Sequence, residues 1–360
     1  MSDARFMDLA LSLGARGLGR TWPNPSVGCV IVRDGRIVGR GTPQRGGRPH
    51  AERVALTQAG EAARGATAYV TLEPCAHTGK TPPCAEALVD AGIVRAVVAC
   101  TDPDPRTAGR GIEILRAAGV EVTLGVREAE ARAANAGFLK RVETGLPFVT
   151  LKLASTLDGR IATSTGESKW ITGPLARRLV HGMRARHDAV MVGGGTARAD
   201  DPSLDVRDLG DVQQPVRVVL SRDLNLPING RLAQTAKHQP LWLIHGAEAD
   251  TRDWARTGAT LIEAPIRDHL IDTEAALRLL AERGLTRVLC EGGGHLAASL
   301  LHFELVDELV AIQAGCVIGS DGLPSLAGLG VRDMADAPRF ARIEARRIGP
   351  DILSRWRPAD

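Results

Sequence analysis

Four residues within one stretch of the chain have types that do chemistry together: His50 and Glu52 in "HAE", and Cys75 and Cys84 in "LEPCAHTGKTPPC". One imidazole and two thiolates form a donor set for a catalytic zinc ion, which takes three protein ligands and keeps a fourth position for water. The thiolates offset the dication's charge, and the metal still brings the pKa of that water toward neutrality. Glu52 is close enough to His50 to move a proton from water to a leaving amine without ligating the metal. Taken singly, these residues have plainer readings as a structural histidine and buried reduced thiols. Their combination favours catalysis. A zinc-stabilised scaffold or binding module is the competing reading, and structural zinc usually takes four protein ligands.

Local elements must bring these groups together. His50 and Glu52 open one expected helix and Cys84 opens another, with Thr81 suited to cap it and Pro82 or Pro83 to its first turn. The positive end of that helix favours a thiolate at Cys84. Cys75 follows the strand "ATAYVTLEP", at the carboxyl end where α/β sheets tend to place sites. The order H-x-E…P-C…C is the pattern of zinc-dependent nucleobase deaminases. Two residues commonly separate the cysteines in that pattern, whereas "AHTGKTPP" separates them here.

Around this region the chain alternates strands and helices. An opening amphipathic helix precedes "CVIVRDGRIVGRG", two β-rich runs about an Asp34-Gly35 hairpin turn. Strands are expected in "IVRAVVAC" and "VEVTLGV", with helix "IEILRAAG" between them. A helical segment then ends at Gly145 and Pro147, which sets a domain boundary near residue 146. Beyond it come the strands "FVTLKLAS", "DAVMVGGG", "PVRVVLS", "PLWLIHG", "TRVLCEGGG", "ELVAIQ" and "DILSRW", with helices "TEAALRLLAERG" and "HLAASLLH". This alternation predicts two α/β domains in series, residues 1–146 and 147–360, the first with a sheet that has a largely parallel part.

The second part has its own candidate chemistry. "RVLCEGGGHLAASLL" runs from strand through a glycine turn into a helix, so backbone N–H groups and the helix dipole suit a phosphate. No G-x-G-x-x-G opens a βαβ unit in the first part, so a dinucleotide fingerprint of that kind is not the basis. A second glycine run, "VGGGTARADDPSL", leaves another strand end, with a flexible surface loop as its plainer reading. Arg184 and Arg207 suit bidentate binding of a phosphate, and are otherwise surface residues.

Composition excludes several classes. The 360 residues are 44% hydrophobic, 24% charged and 3% aromatic, with a net charge of +3. That is ordinary for a globular enzyme, and no basic run with interleaved aromatics offers a nucleic-acid surface. No apolar run reaches a membrane span, and the N-terminal segment lacks the layout of a signal peptide. The six scattered cysteines are expected to be reduced or metal-bound in a cytoplasmic protein.

"TWPNPSVGCVIV", "HAE", "VTLEPCAHTGKTPPC" and "DPDPRTAGRGIEILRAAG" together resemble the N-terminal domain of the bifunctional riboflavin-biosynthesis deaminase/reductase family. "GFLKR", "LKLASTLDGRIA", "GESKWITG", "TARADDPSL" and "CEGGGHLAASLL" resemble its reductase domain, in the same order. The resemblance implies a cytidine-deaminase-like three-layer α/β/α domain followed by a dihydrofolate-reductase-like α/β domain. It implies zinc at His50, Cys75 and Cys84, Glu52 as proton shuttle, and hydrolytic deamination of 2,5-diamino-6-(5-phosphoribosylamino)pyrimidin-4-one. NADPH then reduces the ribosyl group of 5-amino-6-(5-phosphoribosylamino)uracil to ribityl. The implied cofactor contacts are Ala154, Trp170, Thr196, Asp200, Gly293, Gly294, His295 and Leu296. The implied substrate contacts are Asn24, Ser168, Arg184, Leu204, Arg207 and Glu291, with Lys152 in a catalytic or substrate role. Asn24 is otherwise a turn residue and Trp170 a core residue. A homo-oligomer formed through the reductase domain is a further family expectation, as is the absence of nucleic-acid and membrane partners. An RNA-editing deaminase with an accessory domain is the alternative, and it would need a basic groove and the short cysteine spacing.

Overall fold

Asp34 and Gly35 both take positive φ, 49° and 72°, which is the backbone of a two-residue turn matched to strand twist. In the computed structural model, which describes residues 2–78 and 82–359, this turn joins the first two strands. The chain divides into two units, residues 1–146 and 147–360, each considered by itself.

The first unit contains α1 (Asp3–Gly14), β1 (Cys29–Arg33), β2 (Arg36–Gly41), α2 (Ala51–Ala59) and β3 (Thr67–Val70). It continues with α3 (Cys84–Asp90), β4 (Arg95–Val98), α4 (Arg110–Ala117), β5 (Glu121–Leu124), α5 (Glu128–Ala134) and α6 (Ala136–Thr144). The strands form one sheet in the order β2-β1-β3-β4-β5. β1 runs antiparallel to both neighbours, and β3, β4 and β5 are parallel. Cys29, Val30, Ile31 and Val32 are all buried, as a strand covered on both faces requires. α1 packs with α5 while α2 packs with α3, and α3 with α4, so helices cover both faces. Gly41 lets α2 lie directly on β2, because a Cβ there would meet the Ala51 carbonyl oxygen at 1.9 Å. That close approach brings the start of α2, and with it His50, to the sheet.

In the second unit β6 (Phe148–Thr156), β7 (Arg160–Ala162), α7 (Pro174–Arg184), β8 (Ala189–Gly193), α8 (Gly194–Asp200) and β9 (Val216–Leu220) come first. Next are α9 (Arg231–Thr235), β10 (Leu241–His245), α10 (Arg252–Ala255), β11 (Thr260–Glu263), β12 (Ile266–Arg267) and β13 (Leu270–Ile271). The unit ends with α11 (Thr273–Glu282), β14 (Arg287–Cys290), α12 (Gly294–His302), β15 (Glu308–Ala314), β16 (Leu323–Pro324), β17 (Phe340–Ile348) and β18 (Asp351–Pro358). Nine strands form a sheet in the order β11-β10-β9-β8-β14-β6-β15-β18-β17. From β11 to β15 every pairing is parallel, and β18 and β17 close one edge antiparallel. Asp272 caps α11 by accepting the Ala275 N–H at 3.0 Å.

Several elements differ from expectation for physical reasons. β3 ends at Val70, because the chain through Glu73 bonds irregularly to Gly28 and Cys100 before Pro74 removes a donor. α3 starts at Cys84 with Pro83 as its N-cap, so neither proline lies inside its first turn, and Thr81 lies outside the described residues. The glycine run after β8 opens helix α8 rather than a loose loop. β17 has no sequence signature, since Arg342, Glu344, Arg346 and Arg347 occupy an edge where neither face is deeply buried.

Candidate active sites

In the first unit His50 is the extended N-cap residue of α2, at φ −68° and ψ 162°, and its side chain makes no cap bond. The imidazole is therefore free to turn toward the cysteines. His50 Nδ1 lies 3.6 Å from Cys75 Sγ and 3.3 Å from Cys84 Sγ. Tetrahedral zinc with ordinary bond lengths separates N and S donors by about 3.6 Å. The three donor atoms lie within 4.8 Å of one another, the only such metal-ligating group among the described residues. His77 does not join this donor group, and its Nδ1 sits 3.5 Å from Thr107 Oγ1. The donor set thus fits a zinc ion with one open position.

Two thiols this close cannot both ionise without a cation. The Cys84 thiol lowers Cys75 to about 4, and its proximity to Cys75 pushes Cys84 well above the usual thiol range. The first amides of α3 point ahead of the helix, toward Cys75. The Cys84 N–H accordingly donates to Cys75 Sγ at 3.4 Å. Glu52 is 4% exposed. Burial first, then the Cys75 charge, raise its carboxyl to about 7, and the Cys84 thiol lies within hydrogen-bonding reach of it. A cavity of about 270 Å³ opens onto His50, Glu52 and Cys75, with Asn24 in its wall. Asn24 Nδ2 donates to the Gly46 carbonyl at 3.1 Å. The same wall includes Glu73, Asp102, Asp104 and Arg106, which were not singled out in the sequence. Burial raises Asp102 to about 6. The clue was "TDPDPRTAGRG" itself, an acidic loop leaving the carboxyl end of a parallel strand.

The second unit holds a cleft of about 870 Å³ at the carboxyl ends of β6, β8 and β14, a size suited to a cofactor with a substrate. β8 and β14 are neighbours, and each runs through glycine into a helix. A Cβ at Gly292 would meet Val192 Cγ1 at 2.9 Å, and one at Gly293 would meet Thr196 Oγ1 at 3.0 Å. Only glycines leave this cradle open to a phosphate-bearing ligand. Lys152, Ala154, Ser168, Trp170, Thr196 and Asp200 line the cleft. Leu204, Arg207, Gly293 and Gly294 line it too. His295 and Leu296 fall in the first turn of α12, outside the cleft wall, which passes from Gly294 to Ala297.

Glu291 sits at the cleft floor just beyond β14. Arg184, in the last turn of α7, grips it with Nε at 2.5 Å and Nη2 at 3.0 Å, and gives Nη1 to the Asp205 carbonyl at 2.8 Å. Lys152 Nζ lies 3.8 Å from the same carboxylate. Burial alone would raise Glu291, but Arg184 and then Lys152 outweigh it and hold its pKa below the ordinary value. Arg184 thus turns its fork to Glu291 rather than outward, and Arg207 is the more exposed guanidinium at the cleft. Trp170 is 68% exposed, not a core residue, and the Arg177 guanidinium lies 4.5 Å from its ring centroid. The Arg207 N–H donates to His181 Nδ1 at 3.2 Å, which ties the loop carrying Leu204 and Arg207 to α7.

Known proteins match both units. Residues 1–100 match the cytidine and deoxycytidylate deaminase zinc-binding region, and residues 147–354 match the RibD C-terminal domain. The riboflavin biosynthesis protein RibD of Escherichia coli is 44% identical, covering 98% of each chain. The solved structure of Acinetobacter baumannii RibD, form 1, superposes with a TM-score of 0.91 at 41% identity over 99% of both chains. A Thermotoga maritima structure described as a diaminohydroxyphosphoribosylaminopyrimidine deaminase/5-amino-6-(5-phosphoribosylamino)uracil reductase superposes at 0.88, with 36% identity over 99% of both chains. With its zinc-binding deaminase region and its reductase domain, the chain belongs to the RibD family of bifunctional riboflavin-biosynthesis enzymes.

Proposed function

We propose that residues 1–146 hydrolyse the 2-amino group of 2,5-diamino-6-(5-phosphoribosylamino)pyrimidin-4-one, and that residues 147–360 reduce the ribosyl group of the resulting uracil to ribityl. The observation that carries the first half is the convergence of His50 Nδ1, Cys75 Sγ and Cys84 Sγ beside a buried Glu52. These three side chains hold zinc, which supplies the Lewis acidity that makes water a nucleophile near neutral pH. Glu52 accepts a proton as the water oxygen bonds to C2, and returns it to the departing nitrogen as the C2–N bond breaks and ammonia leaves. A carboxyl near 7 holds and releases a proton at neutral pH, which suits that task. Asn24 orients the pyrimidine.

In the second half NADPH supplies the hydride. Gly293, Gly294, Thr196, Asp200, Ala154 and Trp170 would hold it, with His295 and Leu296 beginning the helix behind the glycine turn. Ser168, Leu204 and Arg207 place the phosphoribosyl substrate, Glu291 takes its hydroxyls, and Arg184 orients Glu291. Lys152, beside Glu291, polarises the opened sugar. Support for this reading comes from the shared cleft these residues line and from the glycine cradle at its base. The enzyme works in the cytoplasm as a homo-oligomer joined through its reductase domains. The RNA-editing alternative is not favoured, since the second unit matches a reductase family throughout residues 147–354.

The test supplies the diaminopyrimidine with and without NADPH and follows both products. Ammonia should appear in either case, and NADPH oxidation only after deamination. Ammonia without any NADPH oxidation would defeat the reductase half, and no ammonia from zinc-loaded protein would defeat the first.

A further inference from the structure

Glu73 is 3% exposed and stands two residues before the ligand Cys75, and among the described residues it has no cationic partner. Backbone amides surround its carboxylate instead. Oε2 accepts the N–H groups of Asp102 at 3.2 Å and Gly109 at 3.1 Å. Oε1 accepts those of Gly111 at 3.0 Å and Ile112 at 3.4 Å. Gly109 is the N-cap of α4 and brings no side chain to that helix's unpaired amides. Glu73 supplies the missing cap from a distant part of the sequence, and the positive helix end compensates its buried charge. The fit is close: a Cβ on Gly111 would meet the Pro74 carbonyl oxygen at 2.0 Å.

This lock has a consequence for the cavity. The loop between β4 and α4 carries Asp102, Asp104, Arg106 and Thr107 into the wall facing His50, Glu52 and Cys75. One carboxylate therefore ties that wall to the segment carrying a metal ligand. We infer that Glu73 is a positioning residue for deamination, whose four backbone hydrogen bonds hold the substrate-facing loop 102–112 in register with Cys75. The inference rests on the deaminase reading of this cavity.

In zinc-loaded full-length protein, Glu73→Gln keeps the size of the side chain but turns an amide group toward two N–H donors. Loss of the loop's register removes binding shared by ground and transition states, so KM for the aminopyrimidine should rise about tenfold with kcat changing far less. Zinc content and NADPH oxidation on the deaminated substrate should stay at wild-type values. Gly111→Ala, which displaces the start of α4 from Pro74 and leaves Glu73 intact, should raise KM in the same way. Amide hydrogen exchange provides a reading independent of activity: E73Q should speed exchange at Gly109, Gly111 and Ile112 while β4 keeps its protection. An unchanged KM, unchanged exchange in that loop, or loss of zinc along with the KM change would each overturn the inference. The last would make Glu73 a scaffold residue. Failure of the wild-type protein to release ammonia would defeat the deaminase reading itself and leave the exchange result to judge the lock.

Discussion

Glu52 and Glu291 are both buried carboxyl groups at the heart of their sites, and they are pushed in opposite directions. Glu52 has thiols and an imidazole for neighbours, and burial lifts it to about 7. Glu291 pays the same desolvation penalty, but Arg184 and Lys152 reverse the outcome. The first can hold a proton near neutral pH, while the second remains a negative charge between two cations. Burial alone therefore does not assign a role to an acidic residue. The charges within a few ångströms of it do.

The largest expected effect comes from Glu52→Gln, which keeps the shape and removes the proton carrier. Ammonia release should fall by about 10²–10⁴-fold, while NADPH oxidation on pre-deaminated substrate stays unchanged. If deamination survives near the wild-type rate, Glu52 is a buried bystander and the contrast with Glu291 collapses. Removing the metal with a chelator should divide the two activities along the same line, abolishing deamination and sparing reduction. Metal analysis of active protein should find about one zinc per chain.

Arg184→Met tests the other carboxylate, because Glu291 then stays buried beside Lys152 alone. Breaking a buried pair in this way should cost the second unit about 3–5 kcal/mol in denaturant unfolding. NADPH oxidation should fall with it and ammonia release should persist. An unchanged unfolding midpoint would show that Lys152 suffices to hold the charge.

A smaller effect follows from pH. His187 is buried between α7 and the sheet, its Nδ1 2.7 Å from the Met183 carbonyl and its Nε2 2.9 Å from Thr150 Oγ1. Burial first, and then Arg287, depress it from 6.5 to about 3. The unfolded chain binds a proton in that window and the folded chain does not. His187 thus contributes stability that is present above pH 6.5 and lost as the pH falls toward 3. The second unit's unfolding midpoint should decline across that range, and His187→Asn should flatten the decline.

Much of the first site was legible because its signals are short-range. The hairpin at Asp34-Gly35 follows from two adjacent residues that tolerate positive φ. The helix starts at His50 and Cys84 follow from local pattern, and the domain boundary lay at a Gly-x-Pro break, where the two units divide. Glu73 was invisible, because its four partners lie 29 to 39 residues away and none is a side chain. The contact between Arg184 and Glu291 was not legible either, because the two lie 107 residues apart. α7 and β17 went unassigned, the one rich in arginine and the other an exposed edge.

By itself the sequence determined which donors the chain offers, the order of most of its elements, its family and the hairpin at Asp34-Gly35, since residue type and backbone preference are local properties. Tertiary structure alone decided that the Cys84 N–H turns to Cys75 Sγ and that Arg184 faces Glu291. It also decided that Glu52 and Glu291 titrate in opposite directions. Desolvation and charge pairing depend on every segment packed around a group, and those segments meet only when the chain folds.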